Sequence, residues 1–190
     1  LMLPMLTEEP DAYLAQLQAA KLNDDVEVAH YAATAVAQIS KESDLKLQQL
    51  ERAFKTDPSA QNLNEYCDFL GEYLGSGLAE GRVAQIQRQQ YARLLARRCE
   101  REDTLELRIR YATALADVGQ IDEAQAVTDQ LVLDVPEEQE VWMLCLRLAV
   151  MRRDGDEVHR VIDAIDKQHV YLSAANREEL AFWRNGEAAR

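Results

Sequence analysis

The sequence is poor in positive charge, and this deficit excludes several kinds of partner. Its 190 residues include 21 Lys and Arg against 34 Asp and Glu, which leaves a formal net charge of −13. A negative field of this size opposes phosphate backbones and anionic lipid headgroups, so we expect no general binding to nucleic acid or to a membrane surface. The apolar runs fall well short of the roughly 20 residues that a spanning helix needs, and we expect no membrane span within this sequence.

Cysteine, histidine and the familiar catalytic motifs are also scarce. The three cysteines, Cys67, Cys99 and Cys145, lie far apart, which favours thiols in a reducing compartment over a disulfide framework. The three histidines have no partner at a recognised metal-ligand spacing. The sequence contains neither a nucleophile elbow of the Gly-x-Ser-x-Gly type nor a phosphate-binding loop. We therefore predict that the chain is not an enzyme and that it binds no cofactor and no metal.

Glycine and proline are few, and the tracts between them show helical spacing. Only seven Gly and four Pro interrupt the chain, and no stretch alternates apolar and polar residues over the length of a strand. We predict an all-α protein. The tract 26–54 contains neither Gly nor Pro and predicts one helix of about eight turns. Helix caps are expected at Asp57, with Pro58 at the first helical position, within Glu102-Asp103-Thr104, and at Ser173.

The sequence repeats itself. A large residue followed by a small one occurs three times at similar places in the pattern, at Leu70-Gly71, Tyr111-Ala112 and Leu148-Ala149. The last two pairs give an offset of 37, and Gly119 matches Gly155 with a shift of one. This plan resembles the tetratricopeptide repeat, a helix-turn-helix unit of about 34 residues. The shared features are the large and small residues where the helices cross, a Gly at the turn, and Pro136 at the end of the unit.

The N-terminal part follows a different pattern. Residues 17–39 join an acidic turn to a Val-containing, Ala-rich helix and resemble a HEAT-type unit. We therefore predict two parts: residues 1–56 as a HEAT-like helix pair with a long second helix, and residues 57–190 as tetratricopeptide-like repeats closed by a capping helix. Both kinds of unit stack in the same way, so we expect a right-handed solenoid of antiparallel helix pairs.

Three segments together resemble the cytoplasmic portion of the PelE family, a tetratricopeptide-repeat component of the bacterial Pel exopolysaccharide biosynthesis machinery. They are VEVAHYAATAVAQI, LKLQQLERAF and EYCDFLGEYLGSGLAEG. The resemblance implies a scaffold at the cytoplasmic face of the inner membrane, attached by a spanning region upstream of Leu1. It also implies two protein partners, PelD, which is the cyclic-di-GMP receptor of that system, and the Pel glycosyltransferase. The alternative is a soluble tetratricopeptide chaperone or adaptor that captures a peptide or helix of a client protein.

Arginine is concentrated in one region of this acidic chain. Residues 82–110 contain eight Arg, and Arg93, Arg97 and Arg101 follow one another at a spacing of four, which places them on one stripe of a helix. The stripe is a solvated face that pairs with Glu100, Glu102, Asp103 and Glu106, a docking strip for an acidic partner, or a nucleic-acid contact.

The tetratricopeptide register also predicts a peptide-binding groove on the concave face. Carried onto this chain, that register assigns to the groove Ile109, Thr113, Met143, Leu146, Val150 and Arg153. The apolar members would anchor an amphipathic helix or peptide, unless the C-terminal helix covers them. The second half of the long helix, residues 45–54, is a further candidate surface.

Overall fold

The computed structural model describes residues 10–184, and all the regular secondary structure of these residues is helical. The prediction of an all-α protein is therefore confirmed. The chain divides into two compact units, Leu1–Gln87 and Arg88–Arg190. The helices in order are α1 (Pro10–Ala20), α2 (Val26–Thr56), α3 (Ala60–Gly75), α4 (Gly81–Cys99), α5 (Leu105–Asp117), α6 (Ile121–Asp134), α7 (Gln139–Met151), α8 (Gly155–Gln168) and α9 (Ala174–Arg184).

In the first unit α2 packs against both α1 and α3. Phe54, near the end of α2, is buried, and its ring centroid lies 6.2 Å from that of Tyr66 on α3. The hydroxyl of Tyr73 on α3 donates a 2.7 Å hydrogen bond to the Asp44 carboxylate. Burial, and then this bond, raise the pKa of Tyr73 to about 12. These contacts join α3 to α2 within the first unit, and the division between the two units falls inside α4.

The start of α3 differs from the sequence prediction. Its N-cap is Ser59, whose hydroxyl accepts the backbone N–H of Asn62 at 3.4 Å. Asp57 instead closes α2, where its N–H donates to the carbonyl of Ala53 at 2.9 Å. Pro58 therefore lies in the connection between the helices, because the backbone of Asp57 is extended and already serves as a C-cap.

The second unit contains two helical hairpins, α5–α6 and α7–α8, that share one plan. Leu105 and Gln139 begin α5 and α7, and Ile121 and Gly155 begin α6 and α8, so both helices of the hairpin recur at an offset of 34. Both first helices have 13 residues and both second helices have 14. The predicted offset of 37 is therefore wrong by three positions. Since three positions are close to one helical turn, apolar residues coincide at either offset.

The turn inside each hairpin establishes the correct offset. Gly119 and Arg153 end the first helices with φ of +80° and +56°, and each backbone N–H donates to a carbonyl three residues earlier. The next residues, Gln120 and Asp154, donate to carbonyls five residues earlier, as in a Schellman turn. The sequence analysis expected a Gly at both turns and selected Gly155, which instead begins α8.

The core of the second unit lies between the hairpins and extends to α9. Ala112 on α5 and its equivalent Leu146 on α7 are both fully buried. Leu180 on α9 is buried in the same cluster as Leu146. Two predicted caps are confirmed, one at Thr104 within the segment 102–104 and one at Ser173. The Thr104 hydroxyl accepts the N–H of Leu107 at 3.3 Å, and the Ser173 hydroxyl accepts that of Asn176 at 3.2 Å.

Candidate protein-interaction surfaces

Part of the arginine-rich region is structural. Arg108 pairs with Asp134 of α6 at 2.6 Å, and this pairing holds the pKa of the Asp134 carboxyl below its usual range. Arg110 of α5 donates to the Tyr91 hydroxyl of α4 at 2.9 Å. Arg98 is buried and lies 4.0 Å from Glu102. Arg108 and Arg110 also lie near two of the sequence-neighbouring carboxylates, Asp103 at 3.9 Å and Glu106 at 3.8 Å. Asp134 and the Tyr91 hydroxyl are partners that the sequence did not predict.

The predicted docking strip consists of exposed side chains. Arg93 and Arg97 are exposed and lie one turn apart on α4. Arg101 is exposed as well, but it lies in the turn that follows α4, because the helix ends at Cys99. The stripe therefore has two helical members and a third in the adjoining turn.

Arg93 also lines a polar cleft within the second unit. The cleft has a volume of about 360 Å³ and is formed by α4, α5 and the start of α6. Its polar groups include Gln120 and Glu123, which are joined by a 2.8 Å hydrogen bond from the Gln120 amide. Burial, followed by the charge of Glu123, raises the pKa of the Tyr111 phenol that lines the same cleft. The cleft therefore offers a guanidinium, an amide and a carboxylate to a bound polar group.

Three residues predicted for the concave groove are half-buried on the first helices of the hairpins. Ile109 and Thr113 lie half-buried on α5, and α5 packs against α7. Met143, which the offset of 34 makes the equivalent of Ile109, is half-buried on α7. Arg147 of α7, the equivalent of Thr113, forms an ion pair with Asp117 at the end of α5, a contact that the sequence did not predict.

Three other groove predictions need correction. Leu146 is 0% exposed and so cannot anchor a partner at the surface. The offset of 37 gave it the position of Ile109, whereas the offset of 34 gives it that of the buried Ala112. Val150 is half-buried and packs, with Met143, against the cluster that contains Leu146. Arg153 is exposed, but its backbone forms the turn that ends α7.

The further surface predicted on residues 45–54 is covered only along one stripe within the first unit. Leu47 and Phe54 are buried, whereas six of the ten residues are exposed, among them Leu45 with 50% of its surface. The covering element is α3, through the contact of Tyr66 with Phe54.

A groove that the sequence analysis did not predict lies between α6 and α8. It has a volume of about 320 Å³, and its floor is formed by Trp142 and Cys145 of α7. Burial, followed by the charges of Asp129 and Glu157, raises the pKa of the Cys145 thiol to about 12, so this cysteine is not a nucleophile at neutral pH. One sequence signal was available: positions 131–133 are three successive apolar residues of one helix, and all three cannot face the same core.

The described part of the chain has neither a metal-binding cluster nor a membrane-spanning helix. Residues 10–184 include no group of three or more His, Cys, Asp or Glu side chains placed to hold a metal ion. None of the helices α1 to α9 is both long enough and apolar enough to cross a bilayer.

Comparison with known proteins adds no relative: no protein-family model matches the chain, and no match was found among curated proteins or among solved structures.

Proposed function

We propose that this chain is a non-catalytic scaffold that binds other proteins through stacked helix pairs. The observation that carries the proposal is the repeat of the second unit at an offset of 34, in which α5 packs against both α6 and α7. The tetratricopeptide repeat has about this length, and proteins built from such repeats use extended concave surfaces to bind partners. The architecture we propose is a right-handed solenoid, with α1 and α2 as a HEAT-like pair and α9 as the capping helix.

The binding surface that we propose centres on the exposed arginines of α4 and on the open part of the concave groove. Arg93, Arg97 and Arg101 form a basic strip on a chain of net charge −13. Such a strip suits an acidic surface of a partner, because complementary potentials speed association and select partners. Ile109 and Thr113 provide the half-buried contact area on α5.

We further propose that the partners belong to the Pel exopolysaccharide machinery. The support is the resemblance of segments within residues 26–81 to the PelE family. On this proposal the scaffold lies at the cytoplasmic face of the bacterial inner membrane, attached through a segment upstream of Leu1. Its partners there are PelD and the Pel glycosyltransferase.

Co-purification of the full-length protein from detergent-solubilised membranes tests the proposal. The wild-type protein should recover PelD and the glycosyltransferase, and the double charge reversal R93E/R97E should lose them. The control R82E/R88E changes the net charge equally on the same helix and should retain both partners. Recovery of soluble client proteins alone would instead indicate the chaperone or adaptor function, and equal loss in both variants would refute the arginine strip.

A further inference from the structure

The groove between α6 and α8, which we call the α6–α8 groove, has an apolar floor that is already formed. Both helices pack against α7, which supplies Trp142 and Cys145 as the floor. The indole N–H of Trp142 donates to the carbonyl of Pro136 at 2.7 Å, so the one polar group of this side chain is satisfied. The ring is thus held in one orientation and leaves apolar surface for the groove. The walls add the half-buried side chains Val132 and Ala164.

Leu133, at the edge of this groove, is exposed without a role in the repeat itself. It keeps 76% of its surface exposed on α6 and lines the groove. At the offset of 34, the equivalent position of the next hairpin is Lys167, which is also exposed. The same position therefore carries a charged residue in one hairpin and an apolar residue in the other. Packing within the hairpins does not explain why residue 133 is a leucine. An exposed leucine beside an apolar floor is a feature of a surface that binds.

Three charged side chains line the groove, Asp129, Glu157 and Arg160, and their net charge is negative. The side chain of Glu157 is paired with Arg160 at 2.6 Å. Asp129 accepts a 2.7 Å hydrogen bond from the amide of Gln125, which satisfies the carboxylate without neutralising it. The charges of both carboxylates contribute to the raised pKa of the Cys145 thiol in the groove floor. A bound segment that carried a negative charge near Asp129 would be repelled, and one that carried a positive charge would be attracted.

We propose that the α6–α8 groove binds a cationic amphipathic helix of a partner protein. An aliphatic or aromatic side chain of that helix packs on Leu133 and Trp142, and a Lys or Arg one turn away pairs with Asp129. The spacing follows from α6, where Asp129 and Leu133 are four residues apart and their Cβ atoms are therefore roughly 6 Å apart. This inference rests on the proposed function as a scaffold. It adds a second surface whose preferred charge is opposite to that of the arginine strip.

A pair of synthetic peptides tests the groove directly. One is a fluorescently labelled helical peptide that carries Leu and Lys at a spacing of four along one face, in an Ala and Gln background. The other has each Lys replaced by Glu. Fluorescence anisotropy at physiological ionic strength should show binding of the Lys peptide and not of the Glu peptide. Leu133→Ala and Asp129→Asn should each weaken binding of the Lys peptide by about tenfold or more.

Matched controls separate the groove from a general attraction of cations to an acidic protein. Glu178→Gln on α9 removes one negative charge, as Asp129→Asn does, but outside the groove. Leu45→Ala removes an exposed leucine from the first unit. Both controls should bind the Lys peptide as the wild type does. Equal weakening by Glu178→Gln and Asp129→Asn, equal binding of the two peptides, or no binding of the Lys peptide would each overturn the proposal.

The groove and the proposed function can fail independently. If the Lys peptide binds in the groove while membranes yield neither PelD nor the glycosyltransferase, the groove proposal is supported and the proposed role in the Pel machinery is refuted. If Leu133→Ala and Asp129→Asn leave peptide binding intact while the membrane partners are still recovered, the groove falls and the scaffold function stands.

Discussion

Replacing two leucines of the second unit by alanine tests the structural register most directly. Leu146→Ala and Leu133→Ala remove the same atoms, but Leu146 is 0% exposed and Leu133 is 76% exposed. Truncation of a fully buried leucine costs about 2 to 5 kcal/mol, because the transfer free energy is lost and a cavity remains. Truncation of an exposed side chain changes stability by no more than about 0.5 kcal/mol. We therefore expect the free energy of unfolding to differ between the variants by about 1.5 kcal/mol or more.

Urea unfolding followed by tryptophan fluorescence measures this difference in the relevant unit. The chain has two tryptophans, and both report on the cluster that contains Leu146: Trp142 is a member of it, and Trp183 packs against it. The fluorescence transition therefore follows the second unit even if the two units unfold in separate steps. The midpoint should fall for Leu146→Ala at an unchanged denaturant slope.

The reasoning is refuted if the two leucine variants shift the midpoint equally, or if Leu146→Ala unfolds as the wild type does. Either result would indicate that Leu146 lies at the surface, as the offset of 37 implied. It would also remove the structural basis of the repeat at an offset of 34.

Two further predictions concern the hairpin turns and alkaline pH. Gly119→Ala should destabilise the second unit by about 1 kcal/mol, and Arg153→Gly should not destabilise it. The reason is that both positions have positive φ, which only Gly adopts without strain. Urea unfolding measures both variants, and destabilisation by Arg153→Gly would contradict the equivalence of the two turns. The pKa of Tyr73 is raised from 10.0 to about 12, so its contribution to stability is complete below about pH 10 and is lost as the pH rises toward 12. Tyr73→Phe should therefore lose less stability than the wild type between about pH 8 and about pH 11, as followed by circular dichroism during urea unfolding; equal losses would show that ionisation of Tyr73 does not contribute to the loss.

Local chemistry explains why the helices could be predicted. Helical periodicity and most caps depend on residues within one or two turns of each other, and the caps at Thr104 and Ser173 are of this kind. The exception is the start of α3, where Asp57 and Ser59 both suit a cap. The choice of Ser59 depends on where α2 ends, because Asp57 is used as the C-cap of that helix.

The offset between the hairpins could not be read from apolar spacing. A shift of three residues moves each position by nearly one helical turn, so offsets of 34 and 37 align apolar residues with apolar residues almost equally well. The left-handed residue of the turn distinguishes the two offsets, and in the second hairpin that residue is Arg153 and not a glycine. The groove predictions at Leu146 and Val150 were wrong for the same reason, because they used the offset of 37.

The amino-acid sequence by itself determined that the chain is helical, acidic and rich in arginine over one stretch, because these are properties of composition and of near neighbours. Tertiary structure decided which of those arginines are exposed: Arg108 and Arg110 find partners 26 and 19 residues away, whereas Arg93 stays at the surface. It also decided that Leu146 is core and Leu133 is not. The physical reason is that burial depends on which helices pack together, and positions only a few turns apart in sequence meet entirely different neighbours.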